Sequence, residues 1–104
     1  MSYQVSLTSQ AANDYDNLDP LVKEDIRDAL RDLGDSPGDQ GEKLSGYKGA
    51  RRIKISPDAP GTYRAAYHTV EDLNEVVVFA VGTRENFYDL VARRAKETYR
   101  KFFS

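Results

Sequence analysis

The sequence lacks several residue types on which common classes of protein site depend. It contains no cysteine among its 104 residues, which excludes a disulfide framework and a thiolate metal site. His68 is the single histidine, so a metal centre made of several histidines is excluded too, and we expect no cofactor. No apolar N-terminal leader and no run of residues apolar enough to span a bilayer are present, so we expect a cytoplasmic protein.

Size and charge narrow the class further. A chain of 104 residues with 39% hydrophobic content predicts one domain spanning residues 1–104. The net charge is only −2, but residues 1–42 contain three Lys or Arg against ten Asp or Glu, whereas residues 43–104 contain twelve against seven. The second part can therefore present a cationic surface to a polyanion, although ordinary solvated faces would give the same totals.

The first third of the sequence predicts a strand followed by two helices. Residues 3–7 alternate between apolar and polar side chains, as in a short strand. Thr8 is a favourable N-cap for a helix over residues 8–18, and Asp19-Pro20 begins a second helix over residues 20–33. Gly and Pro in residues 34–41 end that helix. This pattern predicts an αα-hairpin.

The remaining sequence predicts three strands and a final helix. In residues 51–55 and 63–67, apolar or aromatic side chains largely alternate with cationic ones, as in a strand with one buried face. Residues 76–83 are apolar enough for a strand that is buried on both faces. Pro57, Pro60 and Gly61 predict the first turn, and residues 71–74 the second. From Asn86 the spacing is helical. We therefore predict an α+β fold, in which an αα-hairpin packs on one face of a small twisted antiparallel sheet of about four strands.

Cations occupy the strand positions that this alternation leaves exposed. Arg52 and Lys54 alternate with Ile53 and Ile55 on the first of these strands. Arg64 lies between the apolar residues of the second, and Arg84 follows the apolar strand. Several cations on one surface of a sheet predict a phosphate-binding site.

The ordered set of motifs resembles the RelE/ParE toxins of bacterial toxin–antitoxin pairs. The motifs are the Lys43-Leu44 connector, the Arg51-Arg52-Ile53-Lys54-Ile55 strand, the Tyr63-Arg64-Ala65-Ala66-Tyr67 strand, and Val81-Gly82-Thr83-Arg84 followed by Tyr88. The resemblance covers nearly the whole chain. It implies a small twisted antiparallel sheet with the hairpin packed on one face, and an antitoxin partner whose acidic or amphipathic tail covers the cationic surface.

The resemblance also implies an activity. The RelE branch of the family cleaves mRNA on the ribosome without a metal ion, which inhibits translation. The site residues that match its motifs are Arg52, Lys54, Arg64, Arg84 and Tyr88. The ParE branch instead inhibits DNA gyrase and has no nuclease site. Overall acidity and a short step from Arg84 to Tyr88 favour that alternative, and an inactive member that only binds its partner is a third reading.

Metal-free RNA cleavage explains why these residue types would suffice. The ribose 2′-OH must lose a proton, the phosphorane must be stabilised, and the 5′-oxygen must gain a proton. Crowding by other cations favours the neutral form of a lysine, so Lys54 is the candidate base. Arg64 is the candidate clamp on the phosphorane, and Arg84 would orient the leaving group. Tyr88 would stack on a base, and Arg52 would hold a backbone phosphate.

Each assignment has a structural alternative. Arg52 and Lys54 would be ordinary cations of a half-solvated strand. Arg64 could form an ion pair with Glu75, and Arg84 could pair with Asp89. Tyr88 could be a core aromatic of the last helix, although Phe87 and Tyr88 cannot both face inward. For His68 we expect a half-buried residue with hydrogen bonds rather than a catalytic one.

Overall fold

The computed structural model describes residues 3–55 and 63–103. The elements in chain order are β1 (Gln4–Leu7), α1 (Ser9–Asp16), α2 (Pro20–Leu33), the short α3 (Pro37–Gln40), β2 (Glu42–Lys43), β3 (Ala50–Ile55), β4 (Tyr63–Val70), β5 (Glu75–Thr83) and α4 (Phe87–Phe103). The turn predicted at Pro57, Pro60 and Gly61 lies outside the described residues. None of the described helices is both long and apolar enough to cross a membrane.

The strands form one sheet in the order β1-β5-β4-β3-β2. The α+β class, the N-terminal hairpin and the C-terminal helix are confirmed. The sheet itself is mixed, because β1 pairs in parallel with β5 while the other pairs are antiparallel. The hairpin that follows β1 takes the chain across the sheet, and such a crossover allows a parallel neighbour. The sheet has one strand more than the four predicted. The additional strand, β2, has only two residues, too few to show an alternating pattern in the sequence.

Local side-chain contacts define the two helices of the hairpin. The Thr8 hydroxyl accepts a hydrogen bond from the Ala11 backbone N–H at 3.2 Å. The Asp19 carboxylate accepts one from the Leu21 N–H at 3.0 Å. Both contacts satisfy a backbone donor that the first helical turn leaves free. The predicted N-caps are therefore confirmed, and α2 has the predicted bounds.

The sheet separates two apolar cores. The core under the hairpin contains buried residues of α1, α2 and the sheet, among them Ala11, Ile26, Leu33, Ile53, Ile55, Ala65, Tyr67, Val76, Val78 and Val81. The core under α4 contains Leu44, Ala50, Ala66, Phe79, Ala80, Phe87, Val91 and Ala95. The hairpin and α4 therefore cover opposite faces. We call these the hairpin face and the α4 face.

A bulge in β5 changes which residues face each core. Ala66 lies opposite Ala80, but the next residue of β4, Tyr67, lies opposite Val78, so Phe79 is an additional residue. Beyond the end of β1, side chains satisfy the edge of β5: the Asp14 carboxylate accepts from the Val81 N–H at 3.1 Å, and Arg94 donates to the Phe79 carbonyl oxygen at 3.1 Å. Asp14 and Arg94 also form an ion pair, with their nearest atoms 2.6 Å apart.

Candidate functional site

The register of the sheet brings the predicted cations together on the α4 face. Lys54 of β3 lies directly opposite Arg64 of β4, and Arg64 lies opposite Gly82 of β5. Arg52 lies two residues from Lys54 and therefore on the same face. Like charges directly opposite one another destabilise a sheet. The strands therefore accept an electrostatic cost at this position, which is typical of a site that binds an anion.

Gly82 allows the first turn of α4 to approach the sheet beside these cations. A Cβ atom at position 82 would lie 3.0 Å from Leu90 Cδ1, closer than nearly all real contacts of this kind. Phe87, the first residue of α4, is fully buried, whereas Tyr88 is 46% exposed. Only one of the two neighbouring aromatic residues belongs to the core, and the other lies at the surface next to Arg64.

Arg64 and Tyr88 are in direct contact. Arg64 Nη1 donates a hydrogen bond to Tyr88 Oη at 2.9 Å. The guanidinium carbon lies 5.6 Å from the centre of the tyrosine ring, within the range of a cation–π interaction. Arg64 is half-buried, and its Nε is buried without a hydrogen-bond partner in the part of the chain that the structure describes. The contact restricts both side chains and uses one of the two terminal guanidinium nitrogens.

The two arginines at the start of β3 have different environments. Arg51 is on the hairpin face, where Nη2 donates to the carbonyl oxygens of Gly38 and Gly41 at 2.9 Å and 2.5 Å. Arg52 is on the α4 face and forms an ion pair with Glu42 at 3.0 Å. Because successive strand residues point to opposite faces, Arg51 stabilises the connection to α3 while Arg52 lies beside Lys54.

Arg84 lies at the end of the site. It is exposed in the turn after β5, two residues beyond Gly82 in the chain. Within residues 3–55 and 63–103 it forms no ion pair with Asp89. The suggested pairing of Arg64 with Glu75 is not observed either, since Glu75 lies opposite Val70 and accepts a hydrogen bond from Ser6. The structure therefore brings together Lys54, Arg64 and Tyr88, with Arg52 beside them and Arg84 at the strand end.

His68 differs from its expected environment. It is fully buried rather than half-buried, and neither ring nitrogen has a hydrogen-bond partner among the described residues. Its ring stacks on Phe79 at 5.1 Å between centroids and lies against Tyr99 and Phe103. Burial lowers the pKa of the imidazole below its usual value, and the backbone of Gly49 beside the ring opposes that shift. His68 is a core residue under α4.

Sequence reasoning missed the ion pair of Asp14 with Arg94. Both side chains are largely buried, with exposures of 15% and 12%. Arg94 is one of several cations of the last helix, and its partner lies 80 residues earlier in the chain. No local pattern indicates such a pair.

The contact made by the Tyr67 phenol was equally unexpected. The hydroxyl donates a hydrogen bond to the Pro37 carbonyl oxygen at 2.6 Å. Burial raises the pKa of Tyr67, and nearby Arg51 opposes that shift.

Comparison with known proteins relates this chain and its fold to bacterial toxins. The mRNA interferase toxin RelE of Escherichia coli (strain K12) is 27% identical over 85 residues, which cover 82% of this chain and 86% of that protein. The structure of a mutant of the E. coli toxin RelE in the free state superposes with a TM-score of 0.77 at 24% identity, over 94% of this chain and 98% of that one. At this identity the second likeness concerns the fold.

Similarity extends to a toxin solved with its partner. A chain of the crystal structure of the intact E. coli RelBE toxin–antitoxin complex superposes with a TM-score of 0.67 at 25% identity. The match covers 78% of this protein and 95% of that chain. The sequence model for the ParE toxin of the type II toxin–antitoxin system, parDE, matches residues 5–88. The motifs, the fold and this match agree, and the chain belongs to the RelE/ParE family of type II toxins.

Proposed function

We propose that this protein is a ribosome-dependent, metal-independent mRNA endoribonuclease that acts in the cytoplasm, inhibits translation, and is held inactive by a cognate antitoxin. The observation that supports it most is the row formed by Lys54, Arg64 and Tyr88. It combines a lysine opposite an arginine with an exposed aromatic ring in contact with that arginine. The relative named above as an mRNA interferase toxin supports the same reaction class.

Lys54 and Arg64 would act on the reacting phosphate. Lys54 takes the proton of the ribose 2′-OH, whose oxygen attacks the adjacent phosphorus. Arg64 donates two N–H groups to the nonbridging oxygens, which gain negative charge in the phosphorane. The bond to the 5′-oxygen then breaks, and that oxygen takes a proton from solvent water, to which Lys54 later returns the proton it accepted. The contact between Arg64 and Tyr88 positions the guanidinium before the substrate arrives.

The other residues would orient the RNA. Tyr88 stacks on a base next to the cleaved bond. Arg84 orients the leaving group from the end of β5. Arg52 holds a backbone phosphate, which replaces its exposed ion-pair partner Glu42. An acidic segment of the antitoxin that covers these cations would block all three roles.

Inhibition of DNA gyrase is the alternative with the same fold. Among the relatives described above, the activity that is named is that of an mRNA interferase, and none is named for gyrase. The two functions differ in what they require of Arg64. A nuclease needs its charge in the transition state, whereas a protein inhibitor needs a surface.

Replacement of Arg64 tests the proposal. We expect Arg64→Ala to slow cleavage of mRNA on programmed ribosomes about 10²-fold or more, because the lost contact is made chiefly in the transition state. The free energy of unfolding should change by less than about 1 kcal/mol, since the side chain is partly solvated. The measurement is single-turnover cleavage with a chelator present, beside urea unfolding of each variant.

Arg31→Ala is the matched control. Arg31 is an exposed arginine of α2 that pairs with Asp28 at 3.1 Å and lies away from the α4 face. The Arg31→Ala variant should cleave mRNA at the same rate as the wild type. Full cleavage by folded Arg64→Ala would remove Arg64 from the mechanism. No cleavage by the wild type, together with inhibited supercoiling by gyrase, would replace the proposed function by the alternative.

A further inference from the structure

A groove lies between α4 and the loop that joins β2 to β3. It has a volume of about 360 Å³. Its walls are formed by Gly46, Tyr47 and Lys48 of the loop and by Ala92, Lys96 and Tyr99 of α4, with Ala95 at its base. The proposed mechanism uses none of these residues. The groove therefore needs an explanation of its own.

The loop has a defined backbone conformation that presents Tyr47 and Lys48. Gly46 and Gly49 have φ angles of +86° and +75°, which side-chain-bearing residues rarely adopt. The Leu44 N–H donates to the Ala50 carbonyl oxygen at 2.9 Å, and the Ala50 N–H donates to the Tyr47 carbonyl oxygen at 3.1 Å. Two glycines therefore bracket the tyrosine and the lysine, and backbone hydrogen bonds close the loop.

The groove combines aromatic rings with positive charge. Tyr47 and Tyr99 are both half-buried, one on each wall. Lys48 Nζ lies 5.8 Å from the centre of the Tyr99 ring, and Lys96 is exposed on the helix side. No Asp or Glu is among the residues that line the groove. On the other side of the loop, a second concave surface adds Lys43 and Arg51.

The position of the groove relates it to the cleavage site. Tyr88, Ala92, Lys96 and Tyr99 follow one another at helical spacing, so they share one side of α4. One turn of helix, a rise of about 6 Å, separates Tyr88 from Ala92 at the edge of the groove. A strand bound at Lys54 and Arg64 can therefore continue along α4 into the groove.

We propose that the groove binds a nucleotide of the mRNA that flanks the cleaved phosphate, an inference that rests on the proposed function. The base stacks on the rings of Tyr47 and Tyr99, and Lys48 and Lys96 contact the neighbouring phosphates. An acidic peptide would need the two lysines but would have little use for paired aromatic walls. Aromatic rings beside cations are typical of single-stranded RNA sites.

The test measures how much toxin is needed to half-saturate cleavage on programmed ribosomes. We expect Tyr47→Ala to raise that concentration at least 5-fold and to change the limiting rate less than about 2-fold, since stacking contributes to binding and not to the chemical step. In the double variant Lys48→Gln, Lys96→Gln, the slope of the logarithm of the binding constant against the logarithm of the salt concentration should become less steep, by about 0.7 for each lost phosphate contact. Lys101→Gln, on another side of α4, is the matched control and should behave like the wild type.

An abasic mRNA identifies the ligand. An abasic residue at the nucleotide in the groove should cost the wild type as much as Tyr47→Ala does, and the two changes together should cost no more than either one. Scanning the flanking positions locates that nucleotide. Additive losses at every position, or unchanged half-saturation in both groove variants, would overturn the inference. So would normal cleavage with lost antitoxin binding, which would assign the groove to a protein.

Failure of the proposed function would look different. A wild-type protein that cleaves no mRNA would refute the nuclease, whatever the groove does. The groove is then assayed by the binding of a short fluorescent single-stranded RNA, and equal affinity of the wild type and the double lysine variant would overturn the inference.

Discussion

The same strands contribute differently to the hairpin face and to the α4 face of the sheet. On the hairpin face, Ile53, Ile55 and Tyr67 lie in a continuous core under two helices. On the α4 face, the single helix covers Ala50 and Ala66 and leaves Arg52, Lys54 and Arg64 outside that core. Residues next to one another in β3 and β4 therefore lie either in a core or on a cationic surface.

The separation has a simple physical origin. Side chains of a strand alternate between two faces, so a strand with apolar and cationic residues in turn can complete a core with one face and present charges on the other. Arg51 and Arg52 demonstrate this, since one bonds to backbone carbonyl groups on the hairpin face and the other lies beside Lys54. The two faces should therefore respond differently to substitution.

The sharpest test compares neighbouring residues of β3. Ile53→Ala removes buried methylene and methyl groups from the hairpin face, where Ile53 is 7% exposed, and should lower the free energy of unfolding by about 2–5 kcal/mol. Lys54→Ala should change it by less than about 0.5 kcal/mol, yet slow mRNA cleavage if Lys54 is the base. Urea unfolding and the cleavage rate of each folded variant distinguish the two. Equal destabilisation by both substitutions would contradict the comparison.

A second test concerns the ion pair that connects the two layers around the edge of β5. Asp14→Ala leaves Arg94 and the Val81 N–H without their partner, and should cost about 3 kcal/mol of stability because removing one member of a buried pair strands the other charge. Asp16→Ala, an exposed residue of the same helix, is the control and should cost less than about 0.5 kcal/mol. If Asp14→Ala is as stable as the control, the two layers are not coupled there.

The smallest expected effect is the pH dependence of His68. Its pKa is lowered from 6.5 in the folded protein, so below that pH the unfolded chain binds more protons than the folded one. Stability should be constant above about pH 6.5 and decrease as pH falls below it, by at most about 1.4 kcal/mol per unit for one group. Urea unfolding between pH 7.5 and 5.5, with His68→Phe as the reference, measures this. A wild type that gains stability on acidification would reverse the argument.

Local patterns predicted most of the fold. Caps and helical spacing were sufficient for α1 and α2 because the groups that satisfy their first turns lie within three residues. The parallel pairing of β1 was not predictable, since Gln4 and Glu75 meet only after the hairpin has crossed the sheet. Alternation in β3 and β4 was also enough to assign Arg52, Lys54 and Arg64 to one face.

Other features of the site required the structure. Tyr88 was a candidate either for the core or for the site, and only the packing of Phe87 and Leu90 against β5 shows which side it takes. Asp14 and Arg94 are partners across 80 residues, and no periodicity links them. The roles of the site residues in cleavage remain predictions.

The extra residue in β5 has a consequence for insertions and deletions. Val76 and Val78 belong to the hairpin core, but after Phe79 the parity changes: Val81 belongs to the hairpin core and Ala80 to the α4 core. Gly82 thereby faces α4 opposite Arg64. Insertion of a single residue between positions 76 and 80 would exchange the faces of residues 81 and 82 and put a valine under Leu90, whereas deletion of one residue there would remove the bulge and leave both faces unchanged. This apolar run should therefore tolerate the loss of one residue better than the gain of one.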